Sequence, residues 1–187
     1  MGEHMIIRST SIPELNLVET TQNRDERGAF ARWYCEKELS TLLGVRRIVQ
    51  INHSRTVKVG AVRGLHFQFP PYSEIKLVRC LSGRVWDVAV DLRKNSHTYL
   101  QWHAEEISSV NMRMMVIPEG FAHGFQALEP DSELLYLHTT EYSSAAEGGL
   151  RFDDPALQIA WPVRVTDLSL RDKCHPLIDT NFQGITL

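Results

Sequence analysis

Three side chains that could bind an anion and move a proton lie close together in the middle of the chain. Arg63 and His66 are three residues apart, and Lys76 follows ten residues later. A guanidinium binds phosphate, an imidazole can accept a proton near neutral pH, and an ammonium stabilises negative charge on an oxygen. Strands bring such groups together only where a sheet curls around them. We therefore interpret this stretch as the wall of a β-barrel that binds an anionic ligand and performs proton chemistry inside.

The next stretch contains two apolar strands, at residues 75–81 and 84–92, joined by Ser82-Gly83. A glycine in so short a connection supplies the positive φ of a hairpin turn, and we interpret the two strands as a hairpin. Alternation in the second strand places Trp86 and Val88 on one face and Asp87 on the other.

Shorter elements are predicted on both sides of this centre. Gln50 and Asn52 are two residues apart on a predicted strand, so their side chains face the same space. The glycines of residues 120–128 suggest a bulge or a close backbone approach. Residues 36–43 are the one convincing helix, ended by Gly44. The other predicted strands are two within residues 5–19, with a turn at Ser11-Ile12-Pro13, and one each in residues 45–54, 98–107, 111–118 and 133–140.

Nine or ten short strands with a turn every eight to twelve residues, and hardly any helix, are typical of an all-β sandwich or barrel. A length of 187 residues predicts one domain over residues 1–187. We expect Met1-Gly2-Glu3-His4, which precede a second methionine, to be a vector remnant.

Composition argues against several classes of partner. The formal net charge is −3 and the basic residues are scattered, so a nucleic-acid partner is not expected. No apolar run approaches the roughly 20 residues of a membrane span, and no signal peptide is evident. Cys35, Cys80 and Cys174 are odd in number and far apart, which favours a reducing cytoplasm over a disulfide framework.

Eight histidines raise the question of a metal site. Metal-binding β-barrels of this kind supply a His-x-His pair with a nearby Glu and a distant His, and that spacing is missing here. Acid–base work is the better interpretation, although any one such residue is more often structural. His66 lies between apolar Leu65 and Phe67, Lys76 alone could be a solvated side chain, and Tyr136 alone could belong to the core.

Several longer motifs resemble those of the dTDP-4-dehydrorhamnose 3,5-epimerase family. The resemblance extends from about Ile6 to Asp172 and implies a cupin-like antiparallel jelly-roll barrel with a few short helices, usually a homodimer, with no metal and no cofactor. The motifs are Arg63-Gly64-Leu65-His66, Val88-Ala89-Val90-Asp91-Leu92-Arg93, Ile117-Pro118-Glu119-Gly120-Phe121-Ala122-His123-Gly124-Phe125, Asp153-Asp154-Pro155 and Trp161-Pro162.

The resemblance also implies roles for individual residues. His66 resembles the general base, with Asp172 as its partner. Lys76 would lie near the 4-keto oxygen of the sugar, and Tyr136 would be the acid on the opposite face of the ring. The positions that resemble substrate-binding ones are Arg63 at the diphosphate, Tyr142 stacked on the base, and Arg27, Gln50, Asn52, His123, Glu147 and Arg171.

Three positions depart from the family pattern. Arg32 stands where an acid that contacts the nucleotide is common. Leu137 and Arg171 each stand where lysine is frequent.

These features predict a nucleotide-sugar epimerase that inverts C3 and C5 of dTDP-4-dehydro-6-deoxy-D-glucose. One alternative is a relative that inverts a single centre or takes another 4-keto sugar nucleotide. A second is a sugar-nucleotide-binding jelly roll without catalysis, against which the joint presence of His66, Asp172, Lys76 and Tyr136 argues. A third is a metal-dependent oxygenase on the same barrel.

Overall fold

The computed structural model describes residues 5–187, and the expected vector remnant at residues 1–4 lies outside them. The elements of the described chain, in order, are β1 (Met5–Ser9), β2 (Asn16–Thr20), β3 (Gln22–Asp25), β4 (Gly28–Ala31), α1 (Ser40–Leu43), β5 (Gln50–Thr56), β6 (Val62–Gln68), β7 (Lys76–Ser82), β8 (Arg84–Asp91), β9 (Trp102–Ser108), β10 (Arg113–Ile117), β11 (Phe121–Ala127), β12 (Ser132–His138), β13 (Glu147–Gly149) and α2 (Leu170–Cys174).

Two antiparallel sheets face each other and form the barrel. The six-stranded sheet has the order β1-β2-β10-β7-β12-β5, and the five-stranded sheet has the order β13-β6-β11-β8-β9. Consecutive strands alternate between the sheets from β5 to β8 and again from β9 to β13, which is the jelly-roll arrangement. The predicted all-β jelly roll is confirmed. β3 and β4 form a separate two-stranded hairpin.

The predicted hairpin across Ser82-Gly83 is wrong. Gly83 does have a positive φ of 74°, but β7 and β8 belong to opposite sheets and the connection turns a corner of the barrel. Each strand lies inside its own sheet, with β7 between β10 and β12 and β8 between β11 and β9. A local sequence signal specifies the turn, whereas the choice of pairing partner depends on strands distant in sequence.

Alternation along β8 divides its side chains between two cores. Val85 and Ala89 pack between the sheets with Phe125. Trp86 and Val88 point outward, where the C-terminal segment covers them. This alternation is as predicted, and the outer layer explains why both faces of the strand are apolar. Complete burial of each such aliphatic side chain contributes roughly 1.5–3 kcal/mol.

Several predicted boundaries move in the structure. The helix expected over residues 36–43 is only Ser40–Leu43 after a turn, and it ends as predicted at Gly44, whose φ is 58°. The strand expected from residue 45 begins at Gln50, and Val45 is 92% exposed. The strand expected from residue 98 begins at Trp102. Neither β13 nor α2 was predicted. The described residues include no helix long and apolar enough to cross a membrane.

Candidate active site

A cavity of about 1300 Å³ lies between the two sheets. It exceeds the roughly 300–1,000 Å³ of common small-molecule sites, so it can hold a ligand of several linked groups. The predicted site residues line it with one exception, Arg27. Those in the cavity wall are Gln50, Asn52, Arg63, His66, Lys76, His123, Tyr136, Tyr142, Glu147, Arg171 and Asp172.

His66 and Asp172 form a hydrogen-bonded pair on the five-stranded side of the cavity. His66 Nε2 lies 2.8 Å from Asp172 Oδ1. Because a carboxylate only accepts, Nε2 carries the hydrogen and Nδ1 is left to take a proton. Burial alone raises the pKa of Asp172, but the hydrogen bond and charge of His66 outweigh it, and the pKa lies below its usual value. The pair is therefore a base with a permanent counter-charge.

Asp172 is held by backbone groups as well as by His66. It lies in the short helix α2, where its N–H donates to the capping hydroxyl of Ser169 at 3.0 Å. Its Oδ2 accepts from the Gly64 N–H at 3.2 Å. The second carboxylate oxygen is thus fixed, and Oδ1 is free to orient the imidazole.

Two glycines allow the strands behind His66 to approach closely. A Cβ on Gly64, whose φ is 120°, would lie 2.5 Å from the Gly124 Cα. The β6–β11 register shifts between His123 and Phe125, while His123 remains opposite His66. The bulge or close approach predicted from the glycines is confirmed, and it places the two imidazoles on neighbouring strands of one wall.

Tyr136 lies on the opposite wall, on β12. Its hydroxyl is 2.9 Å from Ser54 Oγ, and its ring centroid is 6.1 Å from that of His123. Burial raises the pKa of Tyr136, so its hydroxyl keeps its proton at neutral pH. The cavity therefore has a base on one sheet and a protonated donor on the other.

His123 is buried beside a buried carboxylate. Its Nε2 lies 2.7 Å from Asp87 Oδ1. Burial lowers the pKa of His123, and the nearby charge of Asp87 only partly opposes this. We therefore expect a neutral imidazole that donates to Asp87.

A cation and a third histidine–acid pair complete the six-stranded wall. Lys76 Nζ lies 3.4 Å from Glu74 Oε1, and His138 Nδ1 lies 2.6 Å from Glu74 Oε2. The three side chains are each about nine-tenths buried. Their position facing the cavity follows from the register, which pairs His138 with Lys76 across β12 and β7.

Arg171, Tyr142 and Glu147 form a cluster in the cavity wall. Arg171 Nη1 lies 3.0 Å from both carboxylate oxygens of Glu147, and the Tyr142 hydroxyl donates to Glu147 at 3.1 Å. Arg63 lines the same cavity. Guanidinium groups and an exposed aromatic ring suit a phosphorylated ligand with a planar base.

Arg27 lies outside the cavity of its own chain. It occupies the connection between β3 and β4, its side chain is 91% exposed, and its Nη2 is 2.6 Å from Asp25 Oδ2. Arg32, the departure from the family pattern, pairs with Glu38.

The sequence alone did not assign a role to four polar residues of the site: Ser54, Glu74 and His138, which line the cavity, and Asp87, which bonds to His123. Three of them lie two residues along the chain from a predicted site residue, a spacing that shares a strand face. Asp87 is a carboxylate on the inner, otherwise apolar face of its strand. The spacing of two residues was the sequence signal that could have identified these side chains as part of the site.

His66, Asp172 and His175 have potential metal-ligand atoms within 4.8 Å of one another, among residues 5–187. However, His66 Nε2 and Asp172 Oδ1 already bond to each other, and Arg171 Nη2 lies 3.1 Å from that same nitrogen. A guanidinium beside a ligand atom opposes the binding of a second cation. Metal-free operation remains a prediction.

A jelly-roll barrel with a histidine–carboxylate base, a facing tyrosine and an adjacent ammonium defines an acid–base enzyme of the cupin type. Comparison with known proteins identifies the family. The sequence profile of the dTDP-4-dehydrorhamnose 3,5-epimerase family matches residues 9–180, and the chain belongs to this family.

Individual relatives agree over nearly the whole chain. A dTDP-4-dehydrorhamnose 3,5-epimerase of Salmonella typhimurium is 43% identical over 94% of this chain and 96% of its own. A structure of a dTDP-6-deoxy-D-glucose-3,5-epimerase from Legionella pneumophila, in complex with dTDP-4-keto-L-rhamnose, is 39% identical and has a TM-score of 0.90, covering 97% of this chain and 98% of that one. A dTDP-4-dehydrorhamnose 3-epimerase of Streptomyces niveus is 37% identical over 90% of this chain and 82% of its own.

Proposed function

We propose that this protein converts dTDP-4-dehydro-6-deoxy-D-glucose into dTDP-4-dehydro-L-rhamnose by inverting C3 and C5, a step of dTDP-rhamnose biosynthesis. One observation carries the proposal: His66 and Tyr136 face one cavity from opposite sheets, and Lys76 lines that cavity from the same sheet as Tyr136. Inversion requires a proton to leave one face of the sugar and another to arrive on the other face. Two proton-handling groups on opposing sheets meet this requirement.

The base and the cation act on the C–H bonds next to the ketone. The 4-keto group makes these bonds weakly acidic because the carbanion delocalises onto oxygen. His66 removes the proton through Nδ1, and Asp172 balances the imidazolium that results. The Lys76 ammonium stabilises the enolate oxygen, whose charge exists only in the transition state and intermediate. General-base catalysis contributes roughly 10²–10⁴ in rate.

Tyr136 delivers the new proton. Its hydroxyl is protonated because burial raises its pKa, and its hydrogen bond with Ser54 at 2.9 Å sets its direction. Each inversion leaves a phenolate on Tyr136 and an imidazolium on His66. The phenolate takes a proton from solvent and the imidazolium releases one to solvent, both before the second centre is inverted and again before the next turnover.

The remaining site residues bind the nucleotide. Arg63 and Arg171 offer guanidinium groups to the diphosphate, and Tyr142 offers a ring to the base. We propose one domain over residues 1–187, acting in the cytoplasm as a homodimer in which Arg27 reaches the partner's site. The exposed position of Arg27 on the β3–β4 hairpin supports this arrangement.

Incubation with dTDP-4-dehydro-6-deoxy-D-glucose in D₂O, followed by NMR, tests the proposal. We expect conversion to the L-rhamno product with deuterium at C3 and C5. His66→Ala should abolish both conversion and exchange, whereas the surface variant His97→Ala should retain them. Conversion with deuterium at one carbon only would identify a single-centre epimerase, as the Streptomyces niveus relative is named. Binding without exchange would identify a non-catalytic jelly roll.

A further inference from the structure

Glu74 joins two groups of the cavity that the reaction scheme leaves unconnected. One carboxylate oxygen lies 3.4 Å from Lys76 Nζ and the other lies 2.6 Å from His138 Nδ1. Burial alone raises the pKa of Glu74, but the hydrogen bond of His138 and the charge of Lys76 together lower it. The carboxylate is therefore charged and has both oxygens engaged.

The hydrogen-bond directions around His138 are fixed by its neighbours. Glu74 only accepts, so His138 Nδ1 carries the hydrogen. Asn52 Nδ2 lies 3.4 Å from His138 Nε2 and donates to it. His138 is thus the neutral Nδ1–H tautomer. Its Nδ1–H donates to Glu74, and its Nε2 accepts from Asn52.

The same chain of hydrogen bonds continues across β12 and β5 to Gln50 and Tyr142. Asn52 Oδ1 accepts from Gln50 Nε2 at 3.2 Å, and Gln50 Oε1 accepts from the Tyr142 N–H at 3.0 Å. Each amide is oriented by both of its neighbours. Donation therefore runs in one direction from Tyr142 through Gln50, Asn52 and His138 to Glu74, and the Lys76 ammonium meets the other oxygen of Glu74. We call this set of residues the wall chain.

We propose that Glu74 and His138 are positioning residues that fix the Lys76 ammonium at the reacting end of the cavity. The inference rests on the proposed epimerase function, because it assigns Lys76 to the keto oxygen. His138 immobilises the carboxylate from one side, and the carboxylate then holds the ammonium on the other. The two residues act through Lys76.

A lysine needs such support because its side chain is long. Ordering the lysine side chain costs up to about 2 kcal/mol of rotamer entropy. A fixed partner orders the side chain before the substrate binds, so this cost does not reduce the rate of the reaction. Stabilisation of an enolate depends on where the cation lies, and a displacement of about 1 Å can cost roughly 10²-fold in rate. His138 also lies with its ring 6.2 Å from that of Tyr136 at an angle of 22°, so it borders the acid as well.

Steady-state kinetics of Glu74→Gln test the proposal. The amide keeps a hydrogen bond from His138 but removes the charge that holds Lys76. We expect kcat to fall roughly 10- to 10²-fold, with KM and the affinity for dTDP unchanged. Glu133→Gln is the matched control, because Glu133 forms a more exposed carboxylate–histidine pair with His53, between β12 and β5, and should leave kcat unchanged.

Conservative replacement separates positioning from packing. His138→Phe keeps a ring beside Tyr136 but cannot bond to Glu74, whereas His138→Asn places an amide N–H where Nδ1–H was. The Phe variant should lose about as much kcat as Glu74→Gln, and the Asn variant should recover about tenfold of that loss. Equal losses in both variants would overturn the positioning role.

The Lys76→Ala background shows whether the pair acts through Lys76. Glu74→Gln should then have no further effect on kcat, since the group it positions is gone. A full additional loss in that background would overturn the proposal. Glu74→Gln activity equal to wild type would also overturn it, with the epimerase function intact.

Nitrogen NMR of labelled histidine gives a readout that does not depend on turnover. We expect His138 to be the neutral Nδ1–H tautomer in the substrate-free protein. An Nε2–H tautomer or an imidazolium would show that the wall chain does not run as described. Failure of the wild-type protein to convert the sugar, with the expected tautomer present, would overturn the epimerase function and with it the role of Lys76.

Discussion

Burial shifts the pKa values of individual residues in the cavity and thereby determines which of them are charged. It raises the pKa of Tyr136 and lowers the pKa of His123, so both groups are neutral at pH 7. The pKa of Asp172 remains below its usual value because the bonds with His66 outweigh burial. A neutral proton donor, Tyr136, and a charged carboxylate that orients the base, Asp172, thus line one cavity, and each has the form that epimerisation needs.

Asp172→Asn should slow the enzyme without unfolding it. The amide oxygen would keep the bond from the Gly64 N–H, and the NH₂ group would face His66 Nε2. Nε2 would then accept, and the hydrogen would move to Nδ1, where the base must be free. We expect kcat to fall roughly 10²-fold or more, with an unchanged melting temperature. Deuterium exchange into the substrate should fall by the same factor, and exchange at the wild-type rate would contradict the assignment.

At the scale of strands, alternation and spacing predict much of the fold and site. The period of two in β8 predicted that Trp86 and Asp87 lie on opposite faces of the strand, and the spacing of Gln50 and Asn52 predicted that both face one space. The pairing of strands was not predictable in the same way. Ser82-Gly83 identifies a turn, but only the distant strands β10, β12, β11 and β9 determine that β7 and β8 separate.

The parts of the fold and site that the sequence did not predict are short elements and contacts between residues distant in sequence. β13 has three residues, two of them glycine, and α2 has five, so neither shows a period. The Glu74–His138 bond joins residues 64 positions apart, and no local pattern reports it. The position of Asp172 against His66 was reached through family resemblance and not through spacing.

A buried carboxylate at the end of β8 should dominate local stability. Asp91 is 0% exposed and accepts bonds from Arg93, Ser96 and Thr98. Burial alone raises its pKa, yet these donors lower it overall. Its stabilisation is therefore complete above pH ~4 and is lost as the pH falls through the lower folded-state value.

Asp91→Asn should lower the free energy of unfolding by about 2–3 kcal/mol at pH 7, because buried donors lose a charged acceptor. Urea denaturation at pH 7 and pH 3.5 measures the difference, which should narrow at the lower pH. Asp131→Asn, at an exposed pair with Arg55, should cost less than about 1 kcal/mol. If the stability lost in Asp91→Asn grew as the pH was lowered, the stabilising role of the charged Asp91 carboxylate would be contradicted.

At the scale of the whole molecule, Arg27 tests the proposed dimer. Loss of an arginine–phosphate contact costs about 1.5–3 kcal/mol, so Arg27→Ala should raise KM roughly 10- to 10²-fold. If Arg27 serves the partner's site, mixing inactive His66→Ala chains with Arg27→Ala chains should restore activity through mixed dimers that each hold one complete site. Sedimentation as a monomer at micromolar concentration, or no restoration on mixing, would rule out this arrangement.

Catalysis should not depend on a bound metal. His66 must be free to take a proton, and a metal on the His66–Asp172–His175 group would occupy it. We expect full activity after exhaustive chelation. Activity that disappears on chelation and returns with a divalent metal would favour the oxygenase-like or metal-assisted alternative.

The division of work between the two sheets is tested most directly by Tyr136→Phe. The variant keeps His66, Asp172 and Lys76, so the enolate should still form and His66 should return a deuteron to the original face. In D₂O, NMR should therefore show deuterium exchange at the ring carbons near the wild-type rate while inversion falls roughly 10²-fold or more. If exchange and inversion fall together by the same factor, Tyr136 is not a separate acid, and the account of a base on one sheet and an acid on the other is wrong.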